Sequence, residues 1–273
     1  MVAFDLAKVD VRVRFPLPAP IFINNMLSDI GAVAIVSEEQ KQSAYEMIRS
    51  FREFNPNSSI VIYADGKVDN INDIAHTFKC VLIQHSEKIG YPASYDFEIP
   101  LKYTYRFLMC SFLIREKYFI NLEPDCLVKD TIKLATDTEL NMLSSNLNLN
   151  DLQWSFYMSG DDKLRNEILP RMFEFYQKYN VCINPLFDLT VGGGGFIYKT
   201  KFAKTIINDW KNYIKYSYEI KSIYSGYNQR WYWDYLLSLI FPIYMNGTSY
   251  RHNENFNLNM SDRIIHPYKN FYV

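Results

Sequence analysis

The sequence predicts an α/β protein with a mostly parallel central sheet and helices on both of its faces. Short apolar runs of strand length alternate with longer amphipathic segments, and turn-forming or polar residues follow each run. This alternation is typical of right-handed βαβ crossovers. With 273 residues, 48% of them hydrophobic, the chain can bury one substantial core. We expect a proline-punctuated arm over residues 1–30 and a single domain over 31–273.

The predicted elements begin with the apolar run at 31–36, whose continuous apolar character is typical of a strand buried on both faces. Ser37, Glu38 and Glu39 then indicate a helix start, and Pro56 follows its end. The predicted strands are 31–36, 60–64, 80–84, 118–122, 139–144 and 196–198. The first predicted helix ends near residue 54. The other predicted helices span 71–78, 100–116, 164–179, 201–218 and 229–239.

Composition excludes several classes of function. The net charge is −1 and the basic residues are spread along the chain, so no long-range field favours nucleic acid or an anionic membrane. The longest apolar run, 235–245, is shorter than the ~20 residues of a membrane-spanning helix. The start of the chain has no secretory pattern, and the four cysteines lack metal-type spacing. We expect a soluble, cytoplasmic protein with reduced thiols.

Candidate ligand-binding residues follow the predicted strands, because ligands of open parallel sheets bind beyond the carboxyl ends of the strands. Ser37 follows the first strand, Asp65 the second, and Glu123-Pro124-Asp125 the fourth. The two acids of the triplet are two residues apart in extended chain, so both point to one face. Their hard oxygen ligands suit Mn²⁺ or Mg²⁺. The alternative is an ordinary acidic turn capped by Asp125.

The triplet and the segments that precede it, 103–107 and 118–122, resemble the acid-x-acid signature of the GT-A glycosyltransferases. The order of elements resembles that family over roughly residues 30–270. Small glycosyltransferases of large algal viruses and, distantly, retaining glycogenin-like enzymes are similar. The resemblance implies a GT-A, Rossmann-like fold. It implies a nucleotide-sugar-binding half over about 31–130 and an acceptor-side half over 131–273, with a small C-terminal acceptor-side region.

The resemblance also implies roles for the residues at the strand ends. Asp125 would bind the metal directly and Glu123 directly or through water. Glu123 stands where the family more often has Asp. Ser37 and Asp65 match positions that hold the nucleotide base and ribose, although each also fits a helix cap or a turn. Arg106 would pair with Asp125, the diphosphate or a sugar hydroxyl, or else be a solvated helix arginine.

A run of four glycines, 192–195, precedes the apolar segment 196–198 and so leads into a strand. A Walker or dinucleotide-binding loop needs a following helix, and the run therefore does not fit either. Glycines leave room for a ligand against the main chain. In GT-A enzymes such a stretch lies beside the donor sugar, which makes Gly193 and Gly194 candidate donor contacts. The alternative is a tight structural turn.

Two later segments complete the implied site. Asp234, in Trp231-Tyr-Trp-Asp234, would be the acid beneath the reacting sugar, with Trp231 or Trp233 as a stacking wall. The alternative is that the tryptophans belong to the core and Asp234 is an exposed helix residue.

In His266-Pro-Tyr-Lys269, the histidine would complete the metal site and the lysine would contact the diphosphate. The family usually has a glycine and a longer gap before that lysine. His252 is the rival metal ligand, and a late histidine suggests a retaining reaction.

These features together imply a metal-dependent hexosyltransferase that uses a nucleotide-diphosphate sugar, with UDP-sugar as the expected donor and a glycan or other hydroxyl as acceptor. Two alternatives remain. A nucleotidyltransferase that forms nucleotide sugars would carry a glycine-rich basic loop after the first strand, where this chain has Ser37-Glu-Glu-Gln40. A non-catalytic nucleotide-sugar-binding protein would keep the fold without the chemistry.

Overall fold

The computed structural model describes residues 30–90, 93–124, 126–128, 140–142, 162–181, 196–226, 231–244 and 264–265. The strands are β1 (Ile30–Val36), β2 (Ile60–Asp65), β3 (Val81–His85), β4 (Ala93–Ser94), β5 (Tyr118–Asn121), β6 (Leu127–Val128), β7 (Leu140–Met142), β8 (Phe196–Lys199), β9 (Trp231–Tyr232) and β10 (Ile264–Ile265). The helices are α1 (Lys41–Phe54), α2 (Ile71–Thr77), α3 (Glu98–Met109), α4 (Leu169–Lys178), α5 (Thr200–Asn208), α6 (Trp210–Ile223) and α7 (Trp233–Tyr244).

The main sheet has six strands in the order β3-β2-β1-β5-β8-β7. The pairs β2–β3, β1–β2 and β1–β5 are parallel, while β8 runs antiparallel to both β5 and β7. Strand order therefore reverses at β1: β2 and β3 extend the sheet to one side, and β5 adds on the other. The prediction of an α/β protein with a mostly parallel sheet is confirmed.

Alternate residues of β1 enter two separate cores, as expected for a strand buried on both faces. Val33 and Ile35 pack in the larger core with residues of α3, α4, α5, α6 and α7. Ala32, Ala34 and Val36 pack in the smaller core with residues of α1 and α2. Helices thus cover both faces of the sheet, and the polar groups of the strand ends lie at its edges.

Two boundaries differ from the sequence prediction for identifiable reasons. The predicted helix 201–218 is two helices, α5 and α6, that meet at Asp209. The Asp209 carboxylate accepts hydrogen bonds from the Asn212 amide at 2.7 Å and the Tyr244 hydroxyl at 3.1 Å, which fixes the break. The last predicted helix starts later, at Trp233, because Trp231 and Tyr232 form β9.

The described helices include none long and apolar enough to cross a bilayer. Three of the cysteines, Cys80, Cys110 and Cys126, are buried free thiols, and burial raises the pKa of Cys80 to about 12. Cys182 and residues 1–29 of the predicted arm lie outside the described residues.

Candidate active site at the carboxyl edge of the sheet

The carboxyl ends of β1, β2, β3 and β5 meet at one edge of the sheet because these strands are parallel. Ligands of open α/β sheets bind in the crevice where strand order reverses, which here lies between the ends of β1 and β5. Ser37 follows β1 directly. The backbone N–H of Leu122 still donates to Val33 at 2.9 Å, so Glu123 is the first residue beyond the β1–β5 ladder. Ser37 and Glu123 therefore flank this crevice.

The acidic triplet begins a tight turn away from the sheet. The carbonyl of Glu123 accepts a hydrogen bond from the backbone N–H of Cys126 at 2.9 Å. Glu123 is half-buried, Pro124 is buried, and Asp125 lies outside the described residues. The chain then continues into β6, so the carboxylate of Glu123 stands where β5 has ended and the turn has begun.

Strand β8 starts at this same edge because it runs antiparallel to β5. Ile197 pairs with Ile120, so the start of β8 lies beside the end of β5. The glycine run, including Gly193 and Gly194, leads directly into β8 in the sequence but lies outside the described residues. Direct donor contact by these glycines stays a prediction.

A short antiparallel pairing brings a distant part of the chain to the acidic triplet. Ile265 of β10 pairs with Leu127 of β6, and Ile264 pairs with Val128. Leu127 is two residues after Asp125, and Ile265 directly precedes His266 in the sequence. His266, Lys269 and the rival His252 lie outside the described residues.

A second two-stranded ribbon positions the start of α7. Ser94 of β4, just before α3, pairs with Trp231 of β9, just before α7. Trp231 is 5% exposed, and its ring packs 4.8 Å from Phe97 and 5.3 Å from Tyr224. This tryptophan therefore belongs to the core. Asp234 is the second residue of α7, but its side chain and that of Trp233 are outside the described part of the structure.

Ser37 is half-buried and begins a 3-10 turn over Glu38–Gln40. Its carbonyl accepts the backbone N–H of Gln40 at 3.1 Å, and its hydroxyl donates to the Gln40 side chain at 3.2 Å. These contacts hold the loop after β1 in place. Contact of Ser37 with a nucleotide stays a prediction.

Asp65 and Arg106 form a buried ion pair, with 3.0 Å between Asp65 Oδ1 and Arg106 Nη1. The same carboxylate accepts the backbone N–H of Ile89 at 2.8 Å and of Gly90 at 3.1 Å. Asp65 thus anchors the loop after β3. The carboxylate that the sequence suggested for a ribose is here occupied by protein donors.

Arg106 makes further contacts that explain its burial. It donates to the carbonyl of Glu87 at 3.2 Å and lies 3.3 Å from His85 Nδ1 and 5.3 Å from the centre of the Tyr63 ring. The same Nδ1 also accepts the backbone N–H of Glu87 at 3.1 Å, so the ring proton of a neutral His85 is on Nε2. Arg106 is therefore not a solvated helix arginine.

Loop residues 87–90 are a part of the site that the sequence did not single out. Their backbone groups bind Asp65 and Arg106, and Lys88 reaches Glu39 with 2.6 Å between Nζ and Oε1. Gly90 has φ of +96°, which favours glycine, and is the one sequence signal that could have marked the loop.

The acids that follow β1 are engaged by basic partners. The hydrogen bond from Lys88 is the main cause that lowers the pKa of Glu39 to about 2. The hydrogen bond from Lys41 is the main cause that lowers the pKa of Glu38. These two carboxylates therefore hold the loop after β1 to its surroundings.

Glu123 is the candidate metal ligand that the described residues place at this end of the sheet, and binding of a cation by Asp125 and His266 stays a prediction. Glu123 is a half-buried carboxylate at the crevice, Asp125 is two residues on, and the β6–β10 pairing directs the chain before His266 toward the same turn. Carboxylate oxygens and a neutral imidazole are suitable ligands for Mn²⁺. Within the described residues alone, no group of three His, Cys, Asp or Glu side chains is arranged to hold a metal.

Comparisons with known proteins find likeness in structure only. No protein-family model and no curated protein sequence matches the chain. Solved structures that align include the WbbM bifunctional glycosyltransferase, at 14% identity and a TM-score of 0.44 over 83% of this chain and 38% of that one. The galactosyltransferase LgtC, in complex with donor and acceptor sugar analogues, aligns at 14% identity and a TM-score of 0.47 over 77% and 70%.

Core-mannan synthase A from Aspergillus fumigatus, in its Mn/GDP form, aligns at 11% identity and a TM-score of 0.48 over 84% of this chain and 73% of that one. All three of these proteins are glycosyltransferases. The chain spans little more than a third of the length of WbbM.

Proposed function

We propose that this chain is a metal-dependent GT-A glycosyltransferase that transfers a hexose from a UDP-sugar to a hydroxyl of a glycan or other acceptor. The observation that carries the proposal is the pairing of β10 with β6 beside the acidic triplet. It joins the two sequence segments that contain the candidate metal ligands, although they are far apart in the chain. An ordinary acidic turn would not require a distant strand at that place.

The position of the acidic triplet in the sheet also supports the proposal. The turn that starts at Glu123 lies at the point where strand order reverses, and β8, with the glycine run before it, begins beside it. In the proposed site, the carboxylates, the histidine segment and the glycine run would line one crevice. A diphosphate with a bound cation needs oxygen ligands for the metal and open backbone for the phosphates and the sugar.

In the proposed site, Glu123, Asp125 and His266 would hold Mn²⁺ or Mg²⁺. When bound, the cation would neutralise the negative charge that develops on the departing diphosphate. Lys269 would add a positive charge beside that diphosphate. The late histidine ligand favours a retaining outcome.

The other residues would bind and orient the donor. Ser37 and Asp65 would lie on the nucleotide side, with Asp65 acting through the loop at 89–90 that it anchors. Gly193 and Gly194 would leave room for the hexose. Asp234, at the start of α7, would face the anomeric carbon. Arg106 would orient the donor pocket through its buried pair with Asp65.

The chain would then divide functionally along its length. Residues of about 31–130 would form the nucleotide-sugar-binding half, and residues 131–273 the acceptor side, with 1–30 as an arm. Core residues from α4, α5, α6 and α7 pack on the same face of the sheet as α3. The two halves thus share one hydrophobic core, which supports a single domain over 31–273.

Release of UDP from UDP-glucose and UDP-galactose, with MnCl₂, MgCl₂ or EDTA, tests the proposal. We expect metal-stimulated release, and a loss of ~100-fold or more in Asp125→Ala because its carboxylate would hold the cation that neutralises the developing charge. Glu46→Ala, on the exposed face of α1, is the matched control and should keep wild-type release.

Three outcomes would contradict the proposed function. Equal UDP release by Asp125→Ala and the wild type would show that the acidic triplet takes no part in the reaction. Tight UDP-sugar binding without turnover, even with an acceptor panel, would indicate the non-catalytic binding protein. Formation of pyrophosphate from UTP and a sugar 1-phosphate would indicate the nucleotidyltransferase.

A further inference from the structure

Two tyrosine rings are unusually exposed on one surface at the start of α3. Tyr95 is 68% exposed and Tyr218 is 38% exposed. Charged side chains surround them, namely those of Asp96, Glu98 and Lys221. We call these five residues the aromatic–acidic strip. Large exposed aromatic surface has an unfavourable hydration free energy, and such surface commonly marks a binding site.

The backbone beneath Tyr95 is held firmly in place. Ser94 belongs to the β4–β9 ribbon, and its hydroxyl accepts the backbone N–H of Asp96 at 3.0 Å. The carboxylate of Asp96 in turn accepts the backbone N–H of Glu98 at 3.0 Å. The backbone that carries Tyr95 is therefore a fixed turn, so little backbone conformational entropy would be lost when a ligand packs on the ring.

Tyr218 is held beside it by contacts from α3. Its hydroxyl donates a hydrogen bond to Glu98, and its ring lies 5.5 Å from that of Phe97. The pKa of Tyr218 is raised to about 12, first by the hydrogen bond to Glu98, and the charge of Asp96 contributes. The ammonium of Lys221 lies 5.5 Å from the Tyr218 ring. These contacts join Tyr218 to Glu98 and Lys221, and Tyr95 directly precedes Asp96 in the chain.

We propose that the aromatic–acidic strip is a carbohydrate-binding subsite for the acceptor; this inference rests on the proposed function. A sugar ring has one face of C–H groups, which packs on the electron-rich face of an aromatic ring. Its rim of hydroxyls donates to carboxylates and accepts from an ammonium. Tyr95 and Tyr218 supply the first kind of contact, and Asp96, Glu98 and Lys221 supply the second.

Location assigns the strip to the acceptor rather than to the donor. The donor crevice lies between the ends of β1 and β5, whereas the strip lies at the β4–β9 ribbon. That ribbon leads straight into α7, whose second residue is Asp234. A glycan bound along the strip would extend toward the residue proposed to face the anomeric carbon. A protein partner would instead favour a broad apolar patch with a polar rim.

Saturation-transfer NMR with lactose, maltotriose and mannotriose tests the subsite on the full chain. We expect saturation of at least one of these sugars by the wild-type protein, at least a fivefold smaller effect with Tyr95→Ala, and recovery with Tyr95→Phe, which keeps the ring. Phe112→Ala is the matched control because Phe112 is 46% exposed and has Lys204 5.5 Å from its ring, but follows the opposite end of α3. It should bind the sugars as the wild type does.

The subsite proposal would be wrong if none of the three sugars showed saturation transfer, or if Tyr95→Ala gave the same saturation transfer as the wild type. An equal loss with Phe112→Ala would also contradict it, because that loss would indicate non-specific contact with exposed rings. The proposed function is measured separately by metal-stimulated UDP release from the wild-type protein without any acceptor. Sugar binding without UDP release would retain the subsite and reject the transferase, and the reverse result would reject the subsite alone.

Discussion

Asp65 and Arg106 form a buried ion pair, 3.0 Å apart, that connects the end of β2 to the middle of α3. The side chains are 4% and 10% exposed, so neither charge is well hydrated. The backbone amides of residues 89 and 90 complete the hydrogen bonding of the carboxylate. Three elements at the carboxyl edge of the sheet therefore depend on one pair of charges.

Asp65→Ala should lower the free energy of unfolding by ~1.5–3 kcal/mol, because it removes a charged hydrogen bond to Arg106 and leaves the guanidinium only the exposed carboxylate of Glu87, at 3.5 Å. Urea denaturation measures the change. Asp69→Ala is the control: Asp69 is 61% exposed and pairs with Lys67 at 3.4 Å, so its loss should be below ~1 kcal/mol. Similar losses of unfolding free energy in Asp65→Ala and Asp69→Ala would show that the buried ion pair stabilises the fold no more than the exposed one.

Arg52 and Arg49, both in α1, provide a second matched pair. Arg52 donates to four backbone carbonyls, those of Phe78, Asn55, Pro56 and Ser58, at 2.8–3.2 Å. Arg52→Met should lower the free energy of unfolding by ~2–4 kcal/mol, because charged hydrogen bonds are strong and the carbonyls lose their donor. Arg49→Met, which removes an exposed pair with Glu46, should cost less than ~0.5 kcal/mol. A reversed order of the two Tm values would contradict this account.

The Glu39–Lys88 bridge should make stability depend on pH in the acid range. The pKa of Glu39 falls from 4.5 to about 2, chiefly through the hydrogen bond from Lys88. A depressed carboxyl pKa stabilises the fold above the unfolded value, and this contribution is lost as pH falls from about 4.5 toward about 2. In an NMR titration, Lys88→Met should move the Glu39 midpoint back toward 4.5. A midpoint already near 4.5 in the wild type would rule out the bridge in solution.

His266→Ala and His252→Ala distinguish the two candidate metal ligands. If β10 carries the chain to the metal site, His266→Ala should weaken Mn²⁺-stimulated UDP release by ~10–100-fold, with a matching rise in the Mn²⁺ concentration required. His252→Ala should leave both quantities near wild type. The opposite pattern would reassign the ligand to His252.

The main-sheet strands and the helices of the first half were predictable because each has a sequence signal of its own. The run at 31–36 is apolar throughout, and the structure places it at the centre of the sheet, where both faces are buried. The ribbons β4–β9 and β6–β10 were not predictable, because two-residue strands have no periodicity. Their existence depends on pairing between distant segments, which local sequence does not encode.

The position of the candidate site was predictable in part, because the strand that precedes it has a clear sequence signal. The acidic triplet follows a strand whose end could be located, so its place at the crevice followed from general sheet topology. The partner of Arg106 could not be deduced, because several acids lay at neighbouring strand ends. Only the fold shows that Asp65 is that partner and that its carboxylate also binds the loop after β3.

The β6–β10 ribbon sets a limit on when the proposed metal site can be completed during synthesis. A ribosome must synthesise the chain beyond Ile265 before β6 can gain its partner, whereas the strands that flank the crevice are complete much earlier. A nascent chain that has folded its parallel strands would therefore still lack the last pairing. Truncation before residue 264 should therefore leave the parallel strands intact and abolish the proposed metal-stimulated release of UDP.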